Sequence, residues 1–157
     1  MISNRGIAIY IAVIITAALV LVSFSIISLS IKQVGTSAAA RDSQAAFYAA
    51  DSGVECAIYW DLKKGSKSAF ATTSGSIIAC NNDVNNPSNT GIAVGGGGIN
   101  ATSTFSLTFL PNPYCVTVNV AKSYSGAIPR TKIESRGYNS CSASNTRRVE
   151  RAILVNY

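Results

Sequence analysis

Hydrophobic residues fill the first long segment of the chain, residues 7–31, which reads IAIYIAVIITAALVLVSFSIISLSI and contains neither a charged residue nor a proline. A helix over these 25 residues rises about 37 Å, more than the roughly 30 Å thickness of a bilayer core. A single membrane span satisfies its backbone hydrogen bonds only as a helix. The pattern therefore predicts a transmembrane helix, preceded by the short polar stretch Met1–Gly6.

The helical pattern continues over residues 32–64, which lack proline and are rich in alanine. One apolar stripe with helical spacing runs along this continuation: Phe47, Val54, Ile58 and Leu62. We expect one helix of roughly 55 residues, ending at Lys63-Lys64-Gly65, where cations and a glycine suit a helix C-terminus. Gly35 and Gly53 are its weakest points, because each costs about 1 kcal/mol relative to alanine.

Beyond residue 65 the pattern changes to that of a β-sheet. Residues 66–81 are predicted to fold back along the helix, and residues 81–103, rich in Asn and Gly, to form turns and flexible loop. Apolar and polar residues then alternate in four predicted strands: 104–109, 116–120, 130–138 and 147–157. Short connections favour an antiparallel meander, and the helix stripe can cover its apolar face. The expected fold class is α+β, a long helix packed on a four-stranded antiparallel sheet.

Four cysteines follow the apolar segment: Cys56, Cys80, Cys115 and Cys141. They form no CxxC pair and the chain has no histidine, so we expect disulfides and no zinc site. A chain returning along the helix brings Cys80 to Cys56, and a meander makes Cys115 and Cys141 neighbours. We favour these two bridges, and the other two connectivities stay open. Disulfides require an oxidising compartment, which places the C-terminal part outside the plasma membrane.

These features together resemble a type IV pilin or pseudopilin: a short basic leader ending in Gly6, a long apolar helix, an amphipathic continuation and a β-rich domain with paired cysteines. The run Ala-Ala-Phe-Tyr-Ala-Ala-Asp-Ser-Gly at 45–53 resembles minor pilins of the PilX type. The resemblance implies that a prepilin peptidase cuts between Gly6 and Ile7. It also implies a single-pass membrane protein that assembles with other pilin subunits into an extracellular helical filament.

The resemblance divides the chain into four parts: a leader at 1–6, a transmembrane and filament-core helix at 7–31, its amphipathic continuation at 32–64, and an extracellular pilin-like globular domain at 65–157. One residue departs from the pattern of major pilins. They usually carry a glutamate at the fifth position of the mature chain, where this sequence has Ile11. An apolar residue there is familiar among minor, tip-located subunits, and the choice between major and minor subunit stays open.

Two other interpretations of the apolar segment compete with the pilin. A secretory signal peptide has a shorter apolar region and a small-residue cleavage site, whereas this segment is long and helical character continues past its end. An uncleaved, single-pass surface-anchored domain that binds a ligand through its loops fits the same pattern. The sequence leaves this second alternative open.

The composition of the chain limits the size and the surface of the part outside the predicted membrane helix. The chain has 157 residues, and the part outside the membrane helix suffices for one small domain. Charged residues make up 13%, against about 25% in average soluble proteins. Ser, Thr, Asn and Gly must supply much of the surface, which is common in secreted and surface proteins.

No catalytic constellation appears in the sequence. The commonest general base is missing because there is no histidine, and no serine stands in a G-x-S-x-G motif. The glycines at 95–98 lack the GK[ST] of a phosphate loop. We therefore expect a protein that is not an enzyme and that uses no cofactor or metal. Asp51 and Glu55, four apart on the helix, are either solvated charges or contacts to a basic residue of a neighbouring subunit.

Basic residues concentrate near the C-terminus and suggest a patch that attracts DNA phosphate or a surface ligand: Arg130, Lys132, Arg136, Arg147, Arg148 and Arg151. The patch is interrupted by Glu134 and Glu150. A solvated sheet face or a subunit contact is the plainer interpretation, and a DNA-uptake pseudopilin is the alternative function that the patch would support.

Overall fold

The computed structural model describes five stretches of the chain: residues 5–63, 68–80, 89–98, 100–125 and 128–157. Four predicted features fall partly outside them: the leader over 1–4, the helix end at Lys64-Gly65, the loop over 81–88 and the turn at Gly126. The chain divides into two compact units, Met1–Ala40 and Arg41–Tyr157. The division lies inside the predicted helical continuation, so the second unit contains the end of the helix together with all the strands.

One helix, α1, runs from Arg5 to Ile58, and a single π-helical turn extends it over Tyr59–Lys63. The long helix expected from the sequence is therefore confirmed. It forms because the segment has no proline and is rich in alanine, the best helix former, although many of its apolar residues are β-branched Ile and Val with a somewhat lower helix propensity. Gly35, expected to be a weak point, does not interrupt it.

Four strands form an antiparallel meander in the order β3-β4-β5-β6: β3 at Thr102–Phe109, β4 at Tyr114–Ser125, β5 at Ile128–Tyr138 and β6 at Glu150–Asn156. The predicted α+β fold and strand order are confirmed. A separate two-stranded sheet pairs β1 at Ser76–Ile78 with β2 at Ile92–Val94. The prediction of loop over 81–103 is thus wrong at β2 and at the start of β3.

Alternating side chains of the large sheet point into one core. Phe105 and Leu107 of β3 stand beside Val118 and Val116 of β4 in the register of the sheet, and all four are buried. Phe70, in a short 3-10 helix at Ala69–Ala71, stacks on Phe105 with ring centroids 6.2 Å apart. The chain after the helix therefore contributes to the same core as the meander.

The helix packs on the sheet through small side chains rather than through the predicted stripe. Ala46, Ala50 and Ala57 are fully buried. Phe47 and Leu62 are 47% and 58% exposed, so the stripe prediction is wrong for these two residues. Val54 is buried and Ile58 partly so, in agreement with the stripe. The face was misassigned because a sheet that approaches closely selects alanine and glycine over large apolar residues.

Two glycines make this close approach possible. A Cβ on Gly53 would lie 2.7 Å from Val118 Cγ2 and 2.8 Å from Val116 Cγ2. A Cβ on Gly137, in β5, would overlap the backbone of α1 at Ala46 and Ala50. Since side chains in protein interiors are already close-packed, neither position has room for a methyl group. The glycine predicted as a weak point at 53 is therefore required by the packing.

Polar groups also cross the interface. The hydroxyl of Ser135, on β5, donates a 2.7 Å hydrogen bond to the carbonyl oxygen of Ala50. Two buried asparagines complete the sheet where loops interrupt it. Asn89 donates to the Thr108 carbonyl at 2.7 Å and accepts from its amide at 3.0 Å, and Asn139 accepts from the Val149 amide at 2.7 Å. These side chains satisfy backbone groups that a further strand would otherwise pair.

We predict that Gly137→Ala destabilises the protein by about 1–3 kcal/mol or more, because the new methyl group meets helix backbone, which cannot rotate away. Gly35→Ala is the matched control. Its Cβ would meet no atom within 4 Å, so this substitution should stabilise the helix by up to about 1 kcal/mol. Urea unfolding of the two variants measures both effects, and equal stabilities would contradict the close helix–sheet approach.

Candidate functional site

The apolar half of α1 is exposed along its whole length. Every large apolar side chain from Ile7 to Ile31 is 50–70% exposed. A contiguous apolar surface of this size does not remain in water, because soluble monomers rarely expose patches larger than a few hundred Å². The segment therefore needs lipid or another apolar protein surface around it.

Four of its hydroxyl groups find acceptors inside the helix. Ser23, Ser25 and Ser30 each donate to the carbonyl oxygen four residues earlier, at 2.8, 2.9 and 3.0 Å. Thr16 donates to the Val13 carbonyl at 3.0 Å. An unsatisfied hydroxyl in hydrocarbon is costly, whereas these groups bring their own acceptors. The polar residues within the segment are thus compatible with an apolar environment.

Among the described residues, α1 is the one helix long and apolar enough to cross a membrane, with a mean hydropathy of 2.8 in its most apolar window. The predicted cleavage bond, between Gly6 and Ile7, lies within α1 near the N-terminal limit of the described residues. Ile11, where the resemblance would place a glutamate, is half exposed.

A buried carboxylate ties the end of the helix to the sheet. Asp61, in the π-helical turn, lies 2.6 Å from Lys122 Nζ, and the Tyr157 hydroxyl donates to it at 2.7 Å. The hydroxyls of Ser68 and Thr131 also donate to this carboxylate. Four separate segments of the chain therefore meet at one negative charge.

This network sets the protonation of its members. Burial alone would raise the pKa of Asp61, but the hydrogen bonds from Lys122, Ser68 and Tyr157, with the charge of Lys122, outweigh it and lower the pKa. Burial, followed by the hydrogen bond to Asp61, raises the pKa of the Tyr157 phenol above its ordinary value. At neutral pH the site therefore holds an ionised Asp61 carboxylate and a neutral Tyr157 phenol.

The cysteines lie in two pairs. Cys56 and Cys80 form a disulfide with their Cα atoms 5.8 Å apart, the first of the two predicted bridges. Cys115 and Cys141 are free thiols in this structure, and the Cys141 thiol donates to the carbonyl oxygen of Pro113 at 3.3 Å. Burial, then the neighbouring Cys141 thiol, raises the pKa of Cys115 to about 12. The second predicted bridge is thus not formed here, although its two members are adjacent as the meander required.

The predicted basic patch does not form one free cationic surface. Arg136 is held between Glu134 and Glu150 by ion pairs, the second at 3.5 Å. Arg147 lies 3.4 Å from Asp42 of the helix. These two residues, the centre of the patch in the sequence, are neutralised within the chain.

The other four basic residues are divided between two settings. Arg148 lies over the ring of Tyr138, 3.8 Å from its centroid, and Arg151 donates to the Ser43 hydroxyl at 2.8 Å. Three of the six basic residues are exposed and have no ion pair among the described residues: Arg130, Lys132 and Arg151. DNA binding by the patch stays a prediction, with far fewer available cations than the sequence suggested.

A cleft of about 830 Å³ opens beside the disulfide. Aromatic and aliphatic side chains dominate its walls, with one carboxylate at the edge: Tyr59, Trp60, Leu107, Phe109 and Glu55. The Trp60 indole donates to the Ala79 carbonyl at 3.0 Å, which fixes that wall. Among the described residues, no group of three His, Cys, Asp or Glu side chains could hold a metal ion.

Comparison with known proteins yields no relative from which a role can be transferred. No family model, no curated protein and no solved structure matches this chain. The exposed apolar helix, the cystine-bridged domain and the distribution of charges are therefore the observations on which a function can rest.

We predict that acid weakens the fold through Asp61. Because the pKa of Asp61 is lowered in the folded state, its contribution to the free energy of unfolding is complete above the ordinary value of 3.8. This contribution is lost as the pH falls toward the lower folded-state pKa. Asp61→Asn should lose about 3–5 kcal/mol at neutral pH, since it leaves Lys122, whose side chain is only 12% exposed, without the carboxylate that it pairs with. Urea unfolding between about pH 6 and pH 2 measures both effects.

The same urea-unfolding measurements test whether Asp61 is the group responsible for the loss of stability in acid. Asp61→Asn should show a smaller loss of stability in acid than the wild type, because the titrating group is gone. Asp51→Asn, at a position without an ion pair among the described residues, should keep the wild-type slope. An unchanged slope in Asp61→Asn would contradict a role for this carboxylate in acid sensitivity.

We predict that oxidised glutathione closes the Cys115–Cys141 pair. Denatured protein should then offer no reactive thiol, against two before oxidation, and the bridged form should gain about 3 kcal/mol in the chain-entropy account. Thiol labelling with peptide mapping measures the pairing. Cys115→Ser provides the control with one thiol throughout. If two thiols are still labelled after oxidation, the pair does not form a disulfide and the prediction is wrong.

Proposed function

We propose that this protein is a structural subunit, a pilin or minor pilin, of a type IV pilus or a related filament. The observation that supports it most is the contrast along α1. Residues 7–31 expose apolar side chains on every face, whereas the same helix near Ala46 and Ala50 is covered by a sheet. Such a helix anchors a folded domain through a segment whose neighbours must come from outside the chain.

In this proposal the apolar segment changes neighbours without entering water. Before assembly it lies in the plasma membrane, with the β-rich domain outside. After a prepilin peptidase removes residues 1–6, it leaves lipid for a bundle of the same or related helices. Exposure of these side chains to water would cost on the order of 30 kcal/mol, at about 1.5–3 kcal/mol per large side chain. Exchange between two apolar environments avoids that cost.

Further features of α1 agree with a bundle. Thr16, Ser23, Ser25 and Ser30 have their acceptors within the helix, so neither lipid nor a neighbouring helix has to satisfy these four. Gly35 meets nothing within the chain that would require a glycine. At a helix–helix contact, a missing side chain allows two backbones to approach closely. The glycine is then explained by a partner rather than by the fold of the monomer.

An uncleaved, surface-anchored binding domain is the second candidate function. The cleft of about 830 Å³ beside Cys56–Cys80 favours it, since its aromatic and aliphatic walls have the size and character of a ligand site. A DNA-uptake role has less support, because Arg136 and Arg147 already have acidic partners within the chain.

Processing by a prepilin peptidase separates the two candidates. We predict that co-expression with the peptidase yields a mature N-terminus at Ile7, read by N-terminal sequencing of the membrane fraction. Gly6→Val should retain Met1, because in the family that this chain resembles the enzyme cuts after a glycine. An inactive peptidase is the control for other proteases. Retention of Met1 in the wild type would favour the anchored binding domain instead.

A further inference from the structure

The acidic residues of the domain are mostly neutralised within the chain. Asp42 pairs with Arg147 and Asp61 with Lys122, and Arg136 holds both Glu134 and Glu150. Two acids make no ion pair among the described residues, Asp51 and Glu55. Among the described residues, the acids without an ion pair therefore lie in one place, on the helix, while the single charge of Arg136 is shared between two carboxylates on the sheet.

These two acids belong to the side of α1 that faces away from the sheet. Ala46, Ala50, Gly53 and Ala57 mark the side in contact with the sheet. At 100° per residue, Glu55 lies nearly opposite to them and Asp51 toward its flank. The outward face also carries exposed apolar side chains: Tyr48, 65% exposed, Leu62, 58%, and Tyr59, 45%. We call this the acidic helix face.

Arg130 and Lys132, two exposed cations without an ion pair among the described residues, lie on the other side of the domain, while Arg41 on α1 and Arg151 on β6 are likewise exposed without one. Thr131, Ile133 and Ser135 of β5 point toward the core and helix and are buried. Since side chains of a strand alternate, Arg130 and Lys132 point away from the helix. Exposed apolar residues belong to this outward sheet surface as well: Ile128, 63% exposed, and Leu154, 55%. We call this the basic sheet face.

We infer that the acidic helix face of one subunit binds the basic sheet face of the next copy of this chain, an inference that rests on the proposed filament. Both faces combine free charge of one sign with exposed apolar side chains, so they are complementary in charge and similar in apolar character. Charge fixes register and partner choice, while aromatic and aliphatic contacts supply affinity.

The placement of the two faces determines the kind of assembly. They occupy opposite sides of the Arg41–Tyr157 unit, so one subunit cannot use both against the same partner. A contact between two different faces is heterologous, and repetition of it gives a ring or an open helical array rather than a two-fold dimer. A filament subunit needs a contact of this class, whereas a monomeric anchored domain has no use for it.

Charge reversal in the full-length chain tests the contact. Glu55→Lys alone and Lys132→Glu alone should each lower assembly roughly tenfold or more, because each places like charges together. The double variant should recover assembly, since the pair is restored with its signs exchanged. Glu55→Gln and Lys132→Arg are the milder matched variants, and thermal unfolding of each separates loss of contact from loss of fold.

A zero-length cross-link identifies the partners directly. A carbodiimide joins a carboxylate to an amine as an amide, and the reagent takes up the water that is lost. In filaments or detergent-solubilised assemblies made from mixed ¹⁵N-labelled and unlabelled subunits, we expect a Glu55–Lys132 link that joins the two isotopes. Within one chain the two side chains lie on opposite sides of the domain. Lys132→Arg should abolish the link while it preserves assembly, because it keeps the charge and removes the amine.

The outcomes separate this contact from the proposed function. If subunits are cleaved at Ile7 and assemble, but no mixed-isotope link joins either Asp51 or Glu55 to Lys132, the contact is wrong and the filament role stands. Failure of the double reversal to recover assembly while both singles lose it also overturns the contact. Retention of Met1 together with no assembly overturns the contact and the filament role alike.

Discussion

The closeness of α1 to the sheet is the constraint on which the domain depends. Neither Gly53 nor Gly137 has room for a methyl group, and the buried alanines of α1 bring the helix backbone within reach of the Ser135 hydroxyl. Because little apolar area is buried by each alanine, the interface relies on backbone proximity and on many dispersion contacts. Asp61, with Lys122 and Tyr157, then fixes the end of the helix where these small residues stop.

Most of the architecture could be predicted from periodicity, and the exceptions have physical causes. The length of α1 and the four-stranded meander could be predicted from periodicity, and the Cys56–Cys80 bridge was favoured because the chain was expected to fold back along the helix. The face of the helix that the sheet covers could not be predicted in this way. Hydrophobic periodicity ranks Phe47 and Leu62 above alanine, whereas a sheet that lies close to the helix excludes these large side chains. Strand β2 was hidden in a Gly- and Asn-rich stretch whose composition is typical of loop.

The candidate site likewise has features that the sequence predicted and features that it did not. The exposed apolar segment was evident in the sequence, since no fold could bury so long an uncharged run beside so small a domain. The basic patch was overestimated, because sequence proximity does not reveal that Arg136 and Arg147 have acidic partners from other strands and from α1. Asp61 was unremarkable among scattered acids, and only the return of β4 and the C-terminal residue to the helix end gives it a role.

The Cys56–Cys80 bond has a mechanical consequence. Force applied along α1 tends to shear the helix from the sheet, and hydrogen bonds such as that of Ser135 yield one after another under such a load. The covalent link transfers tension from the helix to the chain that leads into β2 and β3, bypassing that interface. A domain built in this way can lose part of its packing under strain and still remain tethered.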